Sequence, residues 1–229
     1  ETALPEGRIG GEINRTTVQF KLFADLVETG RHLRVVIDKA DANYSPAPRP
    51  DIRRQNQPFG VVAIFAASNF PLAFSVAGGD AASAIASGNA VVAKPSEFTP
   101  VTAFMLCEIC NEAGLPPGVL NVVHGLGGKA GQAIVESEFT KAISFTGGTA
   151  TGKHLARTAA PMFKKLSLEL GGKNPNIIFA DADLEKAIKT TVNSSFMNQG
   201  EICLCGSRVF VQRSVYNEVR DKLVAEVNK

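Results

Sequence analysis

From residue 59 onward, short apolar runs alternate along the chain with stretches of helical pattern. The apolar runs cover residues 60–66, 90–93, 119–123 and 142–145. The helical stretches cover about 72–87, 99–113, 129–137 and 150–159. Apolar strands that alternate with helices are typical of a parallel sheet covered on both faces. The sequence therefore predicts a doubly wound α/β domain, a fold that binds ligands at the carboxyl ends of its strands.

Different patterns flank this alternation. Residues 1–43 predict helix, with Phe20, Phe23 and Leu26 on one face. The proline-rich residues 44–58 predict an extended connection or an edge strand. After residue 165 the pattern predicts strands at 166–170, 175–179 and 207–212, a helix over about 183–196, and a charged helix at the end. We therefore expect a first domain over residues 1–169 and the beginning of a second over residues 170–229.

Composition excludes several classes of protein. The formal net charge of +2 includes no basic block, so neither a nucleic acid nor an anionic membrane is an expected partner. Four cysteines in 229 residues make no disulfide framework, and the chain opens without a basic and apolar leader. Both observations predict a cytoplasmic protein. Residues 55–79 carry no charge, but Ser68, Asn69 and Pro71 interrupt them, which favours a buried strand, loop and helix over a membrane span.

Two motifs that follow predicted strands suit a dinucleotide. The turn Phe145–Gly152 precedes a helix, where glycine backbone and the helix N-terminus can hold a pyrophosphate. Its spacing is not G-x-G-x-x-G, so an ordinary strand–helix turn is the alternative. Lys94 and Glu97 follow the second strand, where a carboxylate can accept both ribose hydroxyls and repel a 2′-phosphate. This motif favours NAD over NADP, and helix capping around Thr99 is its alternative.

Two further motifs carry a carboxylate and a thiol. Glu169 lies in an apolar run, where burial would raise its pKa towards that of a general base. It also lies about 20 residues after Gly147, the spacing of an acid that binds ribose, and the two roles compete. Cys203 lies in a glycine-flanked loop before a strand and can present its sulfur to a cleft. A buried structural cysteine is the alternative.

The four cysteines also allow a zinc hypothesis. Cys107 and Cys110 lie three residues apart on a helical pattern, which suits core positions. Cys203 and Cys205 form a C-x-C pair, which departs from the usual zinc spacing. We therefore expect no metal site.

Taken together, these motifs resemble the NAD(P)-dependent aldehyde dehydrogenase superfamily. The resemblance runs from about residue 1 to residue 229, through Ala67–Pro71, Lys94–Glu97, Phe145–Gly152, Leu168–Gly172 and Gly200–Cys203. It implies a Rossmann-like NAD-binding domain over 1–169 and the start of an α/β catalytic domain over 170–229. Residues 1–35 and 70–80 resemble the ketoglutarate-semialdehyde branch, whereas 199–208 resemble the muconic-semialdehyde branch.

The resemblance also implies roles for individual residues. Cys203 would be the nucleophile, Glu169 the general base and Asn69 the oxyanion donor, with Cys205 a bystander. The residues implied for NAD, or NADP as the alternative, are Lys94, Ser96, Glu97, Gly127, Gly147, Gly148, Thr149, Leu170 and Gly171. The residues expected at the substrate are Phe70, Phe196 and Lys21. Lys21 would pair with a substrate carboxylate, because an unpaired buried charge is costly; a solvated surface lysine is the alternative.

The implied activity is oxidation of a small aldehyde to a carboxylate through a thiohemiacetal and a thioester on Cys203. Both branches act on semialdehydes that carry a remote carboxylate. A coenzyme A-acylating enzyme is one alternative, although it needs no water-activating Glu169, and an incomplete cofactor-binding fragment is another. Family members are about twice this length, beyond one ordinary domain, so we expect an excerpt of a longer protein. We also expect a homo-oligomer, either a dimer or a tetramer.

Overall fold

The computed structural model describes residues 1–229, which divide into two compact units, Glu1–Glu169 and Leu170–Lys229. The first unit opens with a long helix and contains most of the chain's strands. Its helices are α1 (Glu6–Glu28), α2 (Gly79–Ala86), α3 (Pro100–Glu112), α4 (Gln132–Glu136) and α5 (Thr149–Ala159). Its strands are β1 (Val36–Asp38), β2 (Ile52–Arg54), β3 (Val61–Phe65), β4 (Ala90–Lys94), β5 (Leu120–Val122), β6 (Thr140–Gly147) and β7 (Lys165–Leu170), the last ending at the boundary.

A five-stranded sheet in the order β5-β4-β3-β6-β7 forms the centre of this unit. The pairs β3–β4, β3–β6 and β4–β5 are parallel. Strand β3 is buried at four of its five positions, because helices cover both faces of the central strands. Ile64, Val91 and Ile143 are fully buried there, and each such side chain stabilises the fold by roughly 1.5–3 kcal/mol. The predicted doubly wound α/β fold is confirmed.

The helix predicted over residues 72–87 is wrong in its first half, because α2 begins only at Gly79. Tight turns precede it. The N–H of Gly79 donates to the carbonyl of Ala73 and that of Gly78 to the carbonyl of Ser75. A Cβ at Gly78 would lie 2.4 Å from the Ala73 oxygen, so the turn needs glycine. The helix predicted over 129–137 is also shorter, since one π-type turn (Gly127–Gly131) precedes α4.

The proline-rich segment contributes an edge strand, as the sequence predicts. Strands β1 and β2 pair antiparallel, with Ile37 opposite Arg53, and form a separate two-stranded sheet. No helix combines the length and apolar character that a membrane crossing requires.

The second unit is built from two parallel strands and two helices. Its elements are β8 (Pro175–Ile178), α6 (Leu184–Phe196), β9 (Arg208–Val211) and α7 (Tyr216–Val227). Asp183 caps α6 by accepting a hydrogen bond from the N–H of Lys186 at 3.2 Å, as expected of an aspartate at this position. Ile178, Ile188 and Val219 form its core.

Candidate active site

A cleft of about 570 Å³ opens at the carboxyl ends of the central strands of the first unit. Phe65, Lys94 and Phe145 come from the ends of β3, β4 and β6, and the sheet register places them side by side. The other residues that line the cleft are Ala66, Glu97, Gly127, Gly128, Gly131, Gln132, Ala150, Thr151, His154 and Leu155. The cleft therefore lies where a doubly wound sheet binds its ligand.

Lys94 and Glu97 are paired with each other inside this cleft. The Lys94 ammonium is buried and lies 3.0 Å from a Glu97 carboxylate oxygen and 2.8 Å from the carbonyl of Pro95. The same Glu97 oxygen accepts a hydrogen bond from the N–H of Gly127 at 2.8 Å. Partial burial raises the pKa of Glu97, but the hydrogen bonds from Lys94 and from backbone N–H groups outweigh it and hold the pKa below its usual value. Glu97 is therefore ionised at neutral pH.

Two glycines lie against the aromatic rings that line the cleft. A Cβ at Gly147 would lie 2.6 Å from the ring of Phe145, and one at Gly131 would lie 3.4 Å from the ring of Phe65. The N-cap residue of α5 is Gly148, which has no side chain, so the first-turn N–H groups of that helix lack a capping side chain. Exposed helix N–H groups and a positive dipole end suit a phosphate. The cleft volume, the glycines and the polar side chains of Lys94 and Glu97, which can bond ribose hydroxyls, all fit a dinucleotide.

Eight of the nine expected cofactor residues divide into three groups. Lys94, Glu97 and Gly127 line the cleft. The turn formed by Gly147, Gly148 and Thr149 lies at its edge and leads into α5, whose Ala150 and Thr151 line it. Leu170 and Gly171 belong to the second unit.

Ser96, the ninth expected cofactor residue, does not line the cleft. It is buried, and its hydroxyl accepts a hydrogen bond from the N–H of Phe98 at 3.2 Å. Its carbonyl accepts from the N–H of Thr99. Ser96 therefore shapes the turn before α3, because its polar atoms bond locally.

Sequence reasoning missed a polar pair in the cleft. The ring Nε2 of His154 lies 2.7 Å from the side-chain oxygen of Gln132. The two residues belong to different helices, α5 and α4, and no local motif links them. Only the packing of these helices brings the pair together.

Asn69 and Phe70 lie in the loop after β3, and both are half-buried. The Asn69 carbonyl accepts a hydrogen bond from Nη2 of Arg8 at 3.3 Å. The Phe70 ring packs edge-to-face on Phe74, with 5.6 Å between centroids. Lys21, by contrast, is exposed on α1, as a solvated surface lysine would be.

The expected burial of Glu169 is wrong, because its side chain is exposed. It lies on β7, an edge strand of the five-stranded sheet, and this strand has no fully buried position. The apolar residues around Glu169 predicted the strand correctly but not the burial of the carboxylate. At an edge strand, burial depends on a further element packing against the unpaired side of the strand.

Cys203 is exposed in the loop before β9, whereas Cys205, two residues further on, is buried. The backbone of this loop is held from the chain segment after β7. The amide of Asn174 donates to the Cys203 carbonyl at 2.9 Å, and a Cβ at Gly172 would lie 3.1 Å from that oxygen. Phe196 is exposed at the end of α6. The loop therefore presents one thiol to solvent and buries the other.

The remaining cysteines lie on α3 and are half-buried. Burial raises the pKa of both the Cys107 and the Cys110 thiol, and the nearby Cys110 raises the pKa of Cys107 further. Nowhere do three or more metal-binding side chains of the His, Cys, Asp and Glu types come together.

Comparison with known proteins places these features in a family. The family model described as the aldehyde dehydrogenase family matches residues 1–229. The 2-aminomuconic semialdehyde dehydrogenase of Danio rerio is 56% identical over 167 residues, which cover 73% of this chain and 34% of that protein.

Solved structures agree with this match. A crystal structure described as an E. coli NADP-dependent enzyme superposes with a TM-score of 0.89 at 35% identity, covering 100% of this chain and 46% of that one. The NAD+ complex of an aldehyde dehydrogenase from Bacillus cereus gives 0.83 at 36% identity, with 95% and 42% covered. The chain thus spans less than half the length of each of these proteins.

Proposed function

The chain belongs to the aldehyde dehydrogenase family, and from that membership we propose that the protein oxidises an aldehyde to a carboxylate with a nicotinamide dinucleotide. One observation carries the proposal: Cys203 is exposed in a loop whose backbone is held in place, while Cys205 is buried. A nucleophile has to reach its substrate, so exposure supports Cys203 and argues against Cys205.

The cleft of the first unit would hold the dinucleotide. Glu97 and Lys94 would contact its adenosine ribose, and Gly127 would fix the Glu97 carboxylate that accepts the hydroxyls. The N-terminus of α5 would hold the pyrophosphate. When bound, the dinucleotide supplies the hydride acceptor that allows the cysteine adduct to become a thioester.

We propose NAD as the preferred dinucleotide, although one solved neighbour is described as NADP-dependent and another as an NAD+ complex. The ionised Glu97 would repel a 2′-phosphate, and Lys94 would offset part of that repulsion. Binding of NAD and NADP to the wild type and to Glu97→Gln tests this. We expect the substitution to narrow the preference for NAD, whereas tighter binding of NADP by the wild type would contradict it.

Cys203 and Asn69 would carry the addition step. The Cys203 thiolate forms a bond to the carbonyl carbon, and the carbonyl electron pair moves onto oxygen. The Asn69 side-chain amide and the Cys203 backbone N–H would donate hydrogen bonds to that alkoxide, and removing one such donor typically costs about 3 kcal/mol.

Glu169 would act in hydrolysis of the thioester. Its carboxylate takes a proton from water while the water oxygen bonds to the acyl carbon, and the Cys203 thiolate leaves as the product carboxylate forms. A positioned general base contributes roughly 10²–10⁴-fold to such a step. The exposure of Glu169 supports access of water to it.

For the substrate we propose a small semialdehyde with a remote carboxylate, since the similar protein of Danio rerio is named for such a compound. Absorbance of the reduced cofactor should show a kcat/KM for succinic semialdehyde roughly 10–100-fold above that for butanal, the worth of one charged hydrogen bond. Equal efficiencies would contradict the substrate class. A rate that depends on added coenzyme A would favour the acylating alternative.

We also propose that the full-length protein is a homo-oligomer in a reducing compartment, the cytoplasm. Phe104, Met105 and Ile109 on α3 are more than half exposed, and apolar helix faces of this kind mark contact surfaces. All four cysteines are free thiols. Light scattering of the full-length protein tests the oligomer, and a monomeric mass would contradict it.

A further inference from the structure

A fully buried carboxylate lies on α1, the first helix of the first unit. Glu12, in the second turn of α1, is only 1% exposed. One of its carboxylate oxygens accepts hydrogen bonds from the N–H groups of Leu72 and Ala73, at 3.1 and 3.0 Å. These two amides belong to the turns that follow Phe70. Glu12 therefore fastens that segment from a position about 60 residues away in sequence.

Arg8, one helical turn earlier, contacts the residues just before these two amides. Its Nη1 lies 3.2 Å from the second Glu12 oxygen, while its Nη2 donates to the carbonyl of Asn69 at 3.3 Å. Its guanidinium also lies over the ring of Phe70, 4.5 Å from the centroid. The planar fork of arginine suits such simultaneous contacts, which lysine could not reproduce. Arg8 thus links the buried Glu12 to the backbone of Asn69.

We propose that Arg8 and Glu12 are positioning residues for Asn69. The inference rests on the proposed function, in which the Asn69 side-chain amide stabilises the alkoxide. Such a donor must lie about 2.7–3.1 Å from the oxyanion, and a displacement of about 1 Å can cost roughly 10²-fold in rate. Arg8 binds the backbone carbonyl of Asn69, so this hydrogen bond does not involve the side-chain amide.

The chemistry of the pair argues against simple packing. An apolar pair of similar volume would attach α1 to the loop as well or better, because a buried ion pair rarely gains stability over well-packed apolar side chains. Hydrogen bonds to three backbone groups (Asn69, Leu72 and Ala73) are directional, and apolar contacts are not. These bonds therefore fix the position of the backbone at and just after Asn69.

A double-mutant cycle in the full-length protein separates positioning from stability. Arg8→Met should lower kcat about 10–100-fold with little change in KM, and Arg8→Lys should restore little of it. In an Asn69→Ala background the same Arg8→Met substitution should lower kcat by less than about threefold, because the group it positions is already absent. An equal loss in both backgrounds, or no loss in either, would overturn the proposal.

Amide hydrogen exchange tests the same contacts without any activity. Glu12→Gln and Arg8→Met should each speed exchange at Leu72 and Ala73, while Asn14→Ala, an exposed position on the same helix, should not. Unchanged exchange at both amides would overturn the proposal even if the variants lose activity. A wild type that oxidises no aldehyde would instead defeat the proposed function, and the exchange data would still decide whether Arg8 and Glu12 hold this segment.

Discussion

The cofactor cleft of the first unit and the Cys203 loop of the second unit organise their functional groups in opposite ways. In the cleft, the side chain of Lys94 is 5% exposed and is bonded to Glu97, which in turn is bonded to Gly127. In the loop, a hydrogen bond from Asn174 holds the backbone of Cys203 while its side chain stays exposed. A side chain that is bonded to its surroundings contributes both to the stability of the fold and to ligand binding. An exposed side chain contributes to the reaction and little to stability. Substitutions in the two regions should therefore have different signatures.

The largest effect is expected in the loop. Cys203→Ala should reduce aldehyde oxidation by the full-length protein to background, because no thiol remains to form the adduct. The melting temperature should hardly change, since the side chain is exposed. Cys205→Ala should keep most of the activity but lower the melting temperature, because it removes a buried side chain. Loss of activity with Cys205→Ala alone would reverse the assignment.

The second effect concerns the other exposed group, Glu169. Glu169→Gln should slow steady-state turnover by roughly 10²–10⁴-fold, yet retain a rapid first burst of reduced cofactor, since thioester formation precedes the water step. Stopped-flow absorbance measures both phases. A missing burst combined with rapid thioester hydrolysis would show that Glu169 has another role.

The third effect should appear in the cleft as combined loss of affinity and stability. Lys94→Met removes a buried ammonium that contacts Glu97 and the Pro95 carbonyl. Calorimetry should show dinucleotide binding weakened by roughly 10–100-fold, which corresponds to the loss of one hydrogen bond to a charged group. The melting temperature should also be lower. Lys153→Met, an exposed lysine on α5, is the matched control. Equal affinity of Lys94→Met and wild type would remove Lys94 from the site.

The smallest effect is the pH dependence of stability at Glu97. Its pKa in the folded protein lies below 4.5, its ordinary value, so its stabilising contribution is present above pH 4.5 and disappears as the pH falls through the lower value. The side chain is 42% exposed, so the contribution is at most about 1 kcal/mol. The melting temperature of wild type should exceed that of Glu97→Gln near neutral pH and converge with it in acid. A gap that grows on acidification would contradict this linkage.

Much of the fold and of the candidate site can be predicted from local sequence. The alternation of apolar runs and helical stretches predicts a parallel sheet and four of its five strands, since each element is encoded by the periodicity of a few consecutive residues. The placement of Lys94 and Glu97 after a strand predicts that they lie at the ligand-binding edge. The glycines of the Phe145–Gly152 turn predict a strand–helix junction. Each of these predictions depends on neighbours within about ten residues along the chain.

The burial of charged side chains and the hydrogen bonds between residues distant in sequence could not be predicted in this way, because they depend on the tertiary structure. An apolar run predicted that Glu169 is buried, yet the edge position of β7 leaves it exposed. Glu12 sits in a helix with no local sign of burial, yet it is the fully buried carboxylate, because the turns after Phe70 pack against α1. The bond between Glu97 and Gly127 likewise joins residues 30 apart in sequence. Whether a charged side chain is buried depends on which surface packs over it, and that surface comes from a distant part of the chain.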